Sequence, residues 1–589
     1  MSDVTHSDWH LTKRLVGYMA RERVAFWFSF LLYPIGAAAV AAPPYITQQI
    51  LDIALPARDV SLVNILVGLF FLALVVEFVS GFLSQYILTV LGQRAMAALR
   101  TDLFRHVQRL PASYFDRHPV GRILTRLTND IESLAEVFAS GAITAVADVV
   151  TVIVVICLML WLDVRLTLYA LLVVPPLLVV ATWFQRLARE AFREIRVHIA
   201  KINVFLAEHI GGMGVVQAFL QEERCAKHFD VLNIDYRDSN RRAVFYDAAL
   251  FSVVEAIGTT AVAAMIWFGS GKTSAGVLQL GVLVAFIQYI RRCFVPIRDL
   301  SQKYTVLQSA LASSERIFAM LDEPVALDEM PNARAIQKLH QSIAMDHVWF
   351  SYATPPTDES WILKDVSLAI GAREHVALVG ETGSGKTTIG KLLNRFYDVQ
   401  QGAVLVDGID IKTVRLADLR RLFAVVLQDV YLFSGTILEN LTLGGRISEA
   451  SVKDAAKSIG IETWIASLPH GYETLLQEFG SNLSSGERQL LALVRALAID
   501  PAVLIMDEAT SNVDSETEAM IQRGLEVVMR GRAALVIAHR LSTVQKMDRI
   551  VVLQRGRIQD EGSHTVLMGR DGYYRNLVEA QFRDDRAGL

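Results

Sequence analysis

A chain of 589 residues with 52% apolar and only 20% charged residues is too apolar for an ordinary soluble protein and too charged to lie wholly within a membrane. Its net charge of −4 gives no electrostatic footprint for nucleic acid, and its wealth of Leu, Val and Ala excludes disorder. The three cysteines, Cys157, Cys225 and Cys293, are far apart and suggest packing, not a disulfide framework or a metal site.

Residues 1–320 contain six apolar segments, at about 24–46, 62–90, 133–162, 166–187, 246–270 and 276–300. Each is long enough to cross a hydrocarbon core of about 30 Å as a helix, and none has the strict alternation of a barrel strand. The first follows Lys13, Arg14, Arg21 and Arg23 and reads as a span, not a cleaved leader. Basic residues crowd the 91–130 and 186–242 loops, whereas the three opposite loops hold only Arg58, Arg165 and Lys272. The positive-inside rule therefore puts both termini and both long loops in the cytoplasm. A solvated face plus this topology signal accounts for most of these cations. Each long loop is helix-compatible with a short break, at Pro111–Asp116 ahead of Gly121 and at Gly211–Gly214. Such loops could pass force to a soluble partner or be plain helical hairpins.

Away from the ends of these segments lie the ionisable residues Glu77, Asp148, Glu255, Arg291 and Arg292. Counted from the outer ends of their segments they share one level, roughly 21–24 Å deep. Charges at that depth should pair or line water. The plain reading is structural pairing, Glu255 with Arg291 or Arg292. The sharper one is a cavity layer with a formal −1 per chain, favouring cationic amphiphiles.

A linker over 321–340 leads to a part, 341–589, in which β-rich runs alternate with helical stretches. The strand Ala377-Leu378-Val379 runs into Gly380-Glu381-Thr382-Gly383-Ser384-Gly385-Lys386-Thr387-Thr388. This is the phosphate-binding loop G-x-x-x-x-G-K-[ST] between a strand and a helix. Its backbone N–H groups can wrap phosphates at a helix N-terminus, Lys386 can reach the β- and γ-phosphates, and Thr387 can ligate Mg²⁺. By itself the motif says only nucleotide binding. A second strand, Ala502–Met506, delivers Asp507, suited to Mg²⁺, and Glu508, suited to polarise the attacking water. A third, Ala534–Ala538, delivers His539. A lone His at a strand end is usually structural, but following the phosphate loop and the acid pair in order it suits γ-phosphate sensing.

Leu483-Ser484-Ser485-Gly486-Glu487-Arg488-Gln489 opens a helix about 20 residues ahead of the acid strand. It resembles the Leu-Ser-Gly-Gly-Gln signature of ATP-binding cassette (ABC) proteins. The remaining elements of that family fall in order: an aromatic adenine platform at Tyr352, a Q-loop at Gln428, an exporter X-loop at Glu478-Phe479-Gly480 and a D-loop at Ser511-Asn512-Val513-Asp514. The resemblance spans the chain and implies an ABC exporter half-transporter. Its fold would be a six-helix all-α transmembrane domain followed by an α/β P-loop ABC nucleotide-binding domain, in a bacterial cytoplasmic membrane. It implies ATP and Mg²⁺ as cofactors, with Thr387, Gln428 and Asp507 at the metal and Glu508, His539 and Gln428 in catalysis. Tyr352, Gly380–Thr388, and Ser484 and Gly486 would contact nucleotide, the last two on the ATP of a second half-transporter. The loop breaks would be coupling helices.

Ser485 stands where the family usually has Gly, Glu487 where Gln is commonest, and the D-loop reads Ser-Asn-Val-Asp. These departures resemble the catalytically complete half of bacterial heterodimeric multidrug exporters. A heterodimer is therefore favoured, with a homodimer, such as a lipid flippase, left open. The cargo expected is an amphipathic drug or lipid, with siderophore or peptide import on the same architecture as the alternative. A soluble ABC ATPase acting on nucleic acid conflicts with six apolar segments. A nucleotide-gated channel or regulatory subunit would need a crippled ATPase site, which conflicts with Glu508 and His539.

Overall fold

The computed structural model describes residues 8–139, 145–274, 279–325, 330, 332–353, 355–507, 515–538 and 540–582. The chain divides into two compact units: Met1–Arg109 with Val120–Glu323, and Leu110–Pro119 with Pro324–Leu589.

The first unit is helical. A short helix α1 (Asp8–Met19) precedes α2 (Arg23–Gln49), which contains Pro34, Pro43 and Pro44 and ends in a π-turn, Ile50–Ala54. Asp59 caps the next helix, α3 (Val60–Val107), by accepting from the Leu62 N–H at 3.0 Å. At 48 residues α3 is about 72 Å long, far more than a bilayer needs, so its basic end extends beyond the membrane. The short α4 (Ala112–Arg117) clusters with the second unit. The chain returns through α5 (Val120–Thr125), a π-turn at Arg126–Asp130, α6 (Ile131–Ala139) and α7 (Ala145–Leu162). Asp163 caps α8 (Val164–Leu171), and Pro175-Pro176, favoured in a first turn, restart the helix as α9 (Val174–Gly211). A one-turn helix, α10 (Met213–Ala218), has no buried residue and separates α9 from α11 (Glu222–Ser274). The last helix is α12 (Leu280–Leu321).

Among the described residues, four stretches are long and apolar enough to cross a membrane: Arg23–Ala54, Val60–Val107, Val164–Gly211 and Glu222–Gly269. Ala147–Leu162 is a shorter apolar helix, and α12 covers the segment expected as the sixth span. The Asp52 carboxylate accepts the N–H groups of Gly281 (2.6 Å) and Val282 (3.1 Å), capping the start of α12 from the turn after α2. Glycine suits position 281, since a Cβ there would lie 2.7 Å from the Gln48 carbonyl oxygen as well as against the Asp52 carboxylate. Deeper in, the buried Tyr289 hydroxyl donates to the Ala41 carbonyl at 2.8 Å. Near the far end of α12, Arg316 and Ser313 donate to Asp130, a carboxylate only 6% exposed.

The intramembrane charges do not form the expected single layer. Arg292 faces Glu77 at 3.8 Å and donates to the Val40 carbonyl. Asp148 pairs with Lys303, which lies beyond the apolar segment because α12 continues to Leu321. Lys303 is eleven positions past Arg292, so the two pairs sit about 16 Å apart along α12. Glu255 does not pair with Arg291 or Arg292, and Glu255 and Arg291 are both exposed. Lys303 balances the surplus acid, which removes the formal −1.

The second unit is an α/β fold with two main sheets. Strands β1 (Ser342–Phe350) and β2 (Leu363–Gly371) pair antiparallel, and β3 (His375–Val379) leads into α13 (Lys386–Leu393). Then come β4 (Gln401–Val406), β5 (Ile409–Asp410), α14 (Leu416–Arg421), β6 (Phe423–Val426) and β7 (Gly435–Thr436). The helices α15 (Ile437–Thr442), α16 (Glu449–Ile459) and α17 (Glu462–Ser467) precede β8 (Leu475–Leu476) and α18 (Ser485–Ala498). The chain continues with β9 (Val503–Asp507), α19 (Ser515–Met529), β10 (Ala533–Ile537), β11 (Arg549–Gln554) and β12 (Arg557–Gly562). One sheet has the order β2-β1-β4-β5, and the other β12-β11-β3-β10-β9-β6 with β11, β3, β10, β9 and β6 parallel.

The parallel strands are apolar on both faces, as crossover connections demand. Val376 and Leu378 of β3 and Leu535 and Ile537 of β10 enter one core with Val348, Phe350 and Val366 of the antiparallel sheet. Their neighbours Ala377, Val379, Ala534 and Val536 enter a second core with Val452, Leu490, Leu493 and Leu525 of the helices. The alternation fixes the register of the central strands, and thereby which residues stand at their carboxyl ends.

Candidate active site

Four parallel strands deliver the predicted residues to one edge of the sheet, where open α/β folds bind ligands. The phosphate loop leaves β3, Asp507 ends β9, and Gln428 is exposed in the bend two residues past β6. β10 lies between β3 and β9 and ends at the same edge, at Ile537. The catalytic candidates Glu508 and His539, and the D-loop Ser511–Asp514, lie outside the described residues.

The loop has the backbone a phosphate cradle needs. A Cβ at Gly380 would fall 2.1 Å from the Leu553 carbonyl oxygen, and Gly385 caps α13 with φ 108° in the left-handed region. Lys386 is 6% exposed and folds back over the loop, donating to the carbonyls of Gly380 (2.8 Å) and Glu381 (2.9 Å). Burial lowers its pKa, and the nearby Asp507 opposes the shift. Ser384 is 4% exposed and its hydroxyl has no hydrogen-bond partner among the described residues, an unmet polar group of the kind a phosphate oxygen satisfies. Thr387 Oγ1 donates to Asp507 Oδ2 at 3.1 Å, so two hard oxygen ligands already converge beside the loop. No group of three or more His, Cys, Asp or Glu able to hold a metal occurs among the described residues. This donor set fits Mg²⁺, which takes one or two protein oxygens and completes its shell with phosphates and water.

Tyr352, on the loop after β1, bonds Thr388 Oγ1 through its hydroxyl at 3.1 Å. Its ring stands edge-on to Phe350 and Tyr397, at 4.9 and 5.1 Å between centroids. Lys391 Nζ lies 5.7 Å from its centroid. Its half-exposed face suits a purine. Sequence reasoning missed Tyr397 and Lys391. The Tyr397 hydroxyl donates to the Asp116 carboxylate of α4, and Lys391 faces that carboxylate at 3.5 Å. No local pattern signals a contact across 281 positions.

The signature stretch forms the start of α18. Ser484 is the N-cap: its hydroxyl accepts the Glu487 N–H at 3.2 Å, and the Glu487 carboxylate accepts the Ser484 N–H at 2.7 Å. The N–H groups of Ser485 and Gly486 have no partner among the described residues. In the stretch expected as the X-loop, Phe479 adopts φ 58° and packs edge-on against Tyr431 at 5.1 Å.

Such a helical, membrane-spanning unit joined to an α/β unit with a phosphate loop and signature helix defines a class, the ATP-hydrolysing membrane transporters. Residues 26–297 match the ABC transporter transmembrane region, and residues 363–511 match the ABC transporter domain. The chain is 39% identical to the uncharacterized ABC transporter ATP-binding protein YknV of Bacillus subtilis, over 98% of this chain and 95% of that one. It is 37% identical to the probable multidrug resistance ABC transporter ATP-binding/permease protein YheH of the same organism, over 84% of this chain and 74% of that one. A bacterial Atm1-family ABC exporter solved with ATP bound has the same fold, with TM-score 0.77 and 26% identity over 95% of this chain and 98% of that one. The chain belongs to the ABC transporter family, as a half-transporter of the exporter type whose ATP hydrolysis drives transport.

Proposed function

We propose that two cassettes, one from this chain and one from a second half-transporter, enclose ATP and drive export of an amphipathic drug or lipid across a bacterial cytoplasmic membrane. The observation carrying this reading is that one cassette holds both a preformed phosphate loop and a signature helix with free N–H groups at Ser485 and Gly486. A helix N-terminus of this kind attracts an anion. The γ-phosphate held by the facing loop is the anion that fits.

Each residue has a role in that reading. Tyr352 supports the adenine; the N–H groups of Gly380–Thr388 wrap the phosphates, and Lys386 exchanges its loop carbonyls for phosphate oxygens. Mg²⁺, held by Thr387, Asp507 and Gln428, neutralises phosphate charge when bound. Glu508 polarises the attacking water, and His539 steadies the γ-phosphate. The topology that fits has both termini in the cytoplasm. Ser485 and Glu487 favour a heterodimer in which this chain supplies the complete Glu and His. The test is purification from native membranes followed by substrate-stimulated ATPase assays. Two different polypeptides in equal amounts are expected; full ATPase and transport from this chain alone would establish a homodimer.

A further inference from the structure

Glu487 does more than depart from the commonest signature residue. Its carboxylate is held on two sides: Oε2 accepts the Ser484 N–H at 2.7 Å, and Oε1 accepts the Trp464 indole N–H from α17 at 3.0 Å. A full negative charge is thereby fixed in the first turn of α18, next to the Ser485 and Gly486 N–H groups and the Ser484 hydroxyl. The Ser484 oxygen already accepts the Glu487 N–H, so its own proton is free to be donated outward. The same turn therefore offers donors to an anion and carries an anion of its own.

We infer that Glu487, positioned by Trp464, is an electrostatic release element that weakens the signature helix's hold on the γ-phosphate of the facing ATP. This inference rests on the two-cassette reading and deepens it. A glutamine would keep an acceptor for the Ser484 N–H or the indole without the charge. The helix-terminus field would then act on phosphate unopposed. The glutamate spends part of that field on itself and repels what remains to be bound. The consequence is a sandwich that opens readily, with occupancy set by ATP concentration and ionic strength. Trp464 touches no nucleotide in this scheme and acts only through Glu487.

The experiment uses the purified full-length transporter with any chain that copurifies, on a Glu508→Gln background to suppress hydrolysis. The readout is release of trapped labelled ATP in a cold chase. Glu487→Gln is expected to slow release roughly threefold or more at low salt, with the difference shrinking at 0.5 M salt. Trp464→Phe is expected to alter release with Glu487 present and to have no added effect with Gln at position 487. Ser484→Ala separates the two levels of argument. If it speeds release while Glu487→Gln leaves release unchanged, the electrostatic role is wrong and the sandwich stands. If neither substitution changes release, both fall. Should Trp464→Phe act equally with Glu or Gln at position 487, its role is packing and the positioning claim is overturned.

Discussion

Thr387 and Asp507, 120 positions apart, meet at 3.1 Å because β9 and the loop after β3 end at the same edge of one parallel sheet. The hydroxyl's donation to the carboxylate holds both oxygens where a hard cation would take them. Asp507→Asn keeps the size and a hydrogen-bonding oxygen but loses the charge. It should lower ATPase activity about tenfold or more and raise the Mg²⁺ needed for half-maximal rate. Binding of nucleotide without Mg²⁺ should change little. An unchanged Mg²⁺ titration would remove Asp507 from the metal site.

Glu508 and Lys386 separate chemistry from binding. Glu508→Gln should leave ATP binding near normal and cut turnover by a factor of roughly 10². Lys386→Ala should weaken binding itself, because a charge-assisted phosphate contact is lost. Equilibrium binding beside steady-state turnover distinguishes them, and near-normal hydrolysis by Glu508→Gln would dismiss it as the base.

The pair Asp148–Lys303 gives a test inside the membrane unit. Removing either partner alone takes this ion pair from the charge that remains, whereas removing both leaves neither charge in place. Asp148→Asn and Lys303→Met should each lower the thermal unfolding midpoint in detergent, and the double variant should regain much of the loss. The coupling should be about 1 kcal/mol or more. Additive losses would mean that the two side chains act independently.

Asp407 is one source of acid sensitivity in the cassette unit, beside the likewise depressed carboxyls of Glu374 and Glu526. Partial burial would raise its pKa, but N–H donations from Gln341, His340 and Ser342 outweigh this and hold it below the ordinary 3.8. A carboxyl depressed in the folded state stabilises it above the unfolded pKa, and that contribution disappears as pH falls through the folded value. Asp407→Asn should therefore flatten the fall in stability below about pH 4. Acid titrations followed by tryptophan fluorescence would show it; parallel curves would exclude Asp407 as a source.

Much of the nucleotide site was legible because its information is local. Nine contiguous residues specify the phosphate loop, and Ser-x-x-Glu at 484–487 is readable as a helix start with reciprocal caps. The ionic arrangement in the membrane unit was not legible. Depth counted from hydropathy stops at the last apolar residue, near 300, while the helix runs on to Leu321 and brings Lys303 to Asp148 from 155 positions away. Trp464 reads in sequence as one more apolar helix residue, and only the fold shows its indole on Glu487. The left-handed conformation of Phe479, in the stretch expected as the X-loop, has no signal in the sequence.

The cassette unit is assembled from two pieces of chain, and Leu110–Pro119 is made about 200 residues before Pro324. At ordinary elongation rates that interval is roughly 10–40 s. During it, Asp116, later bound by Tyr397, stands in the segment after α3 before the cassette that receives it exists. Maturation is thus vectorial: the late-synthesised cassette closes on an early-synthesised tether, and a nascent chain released too soon displays that tether bare.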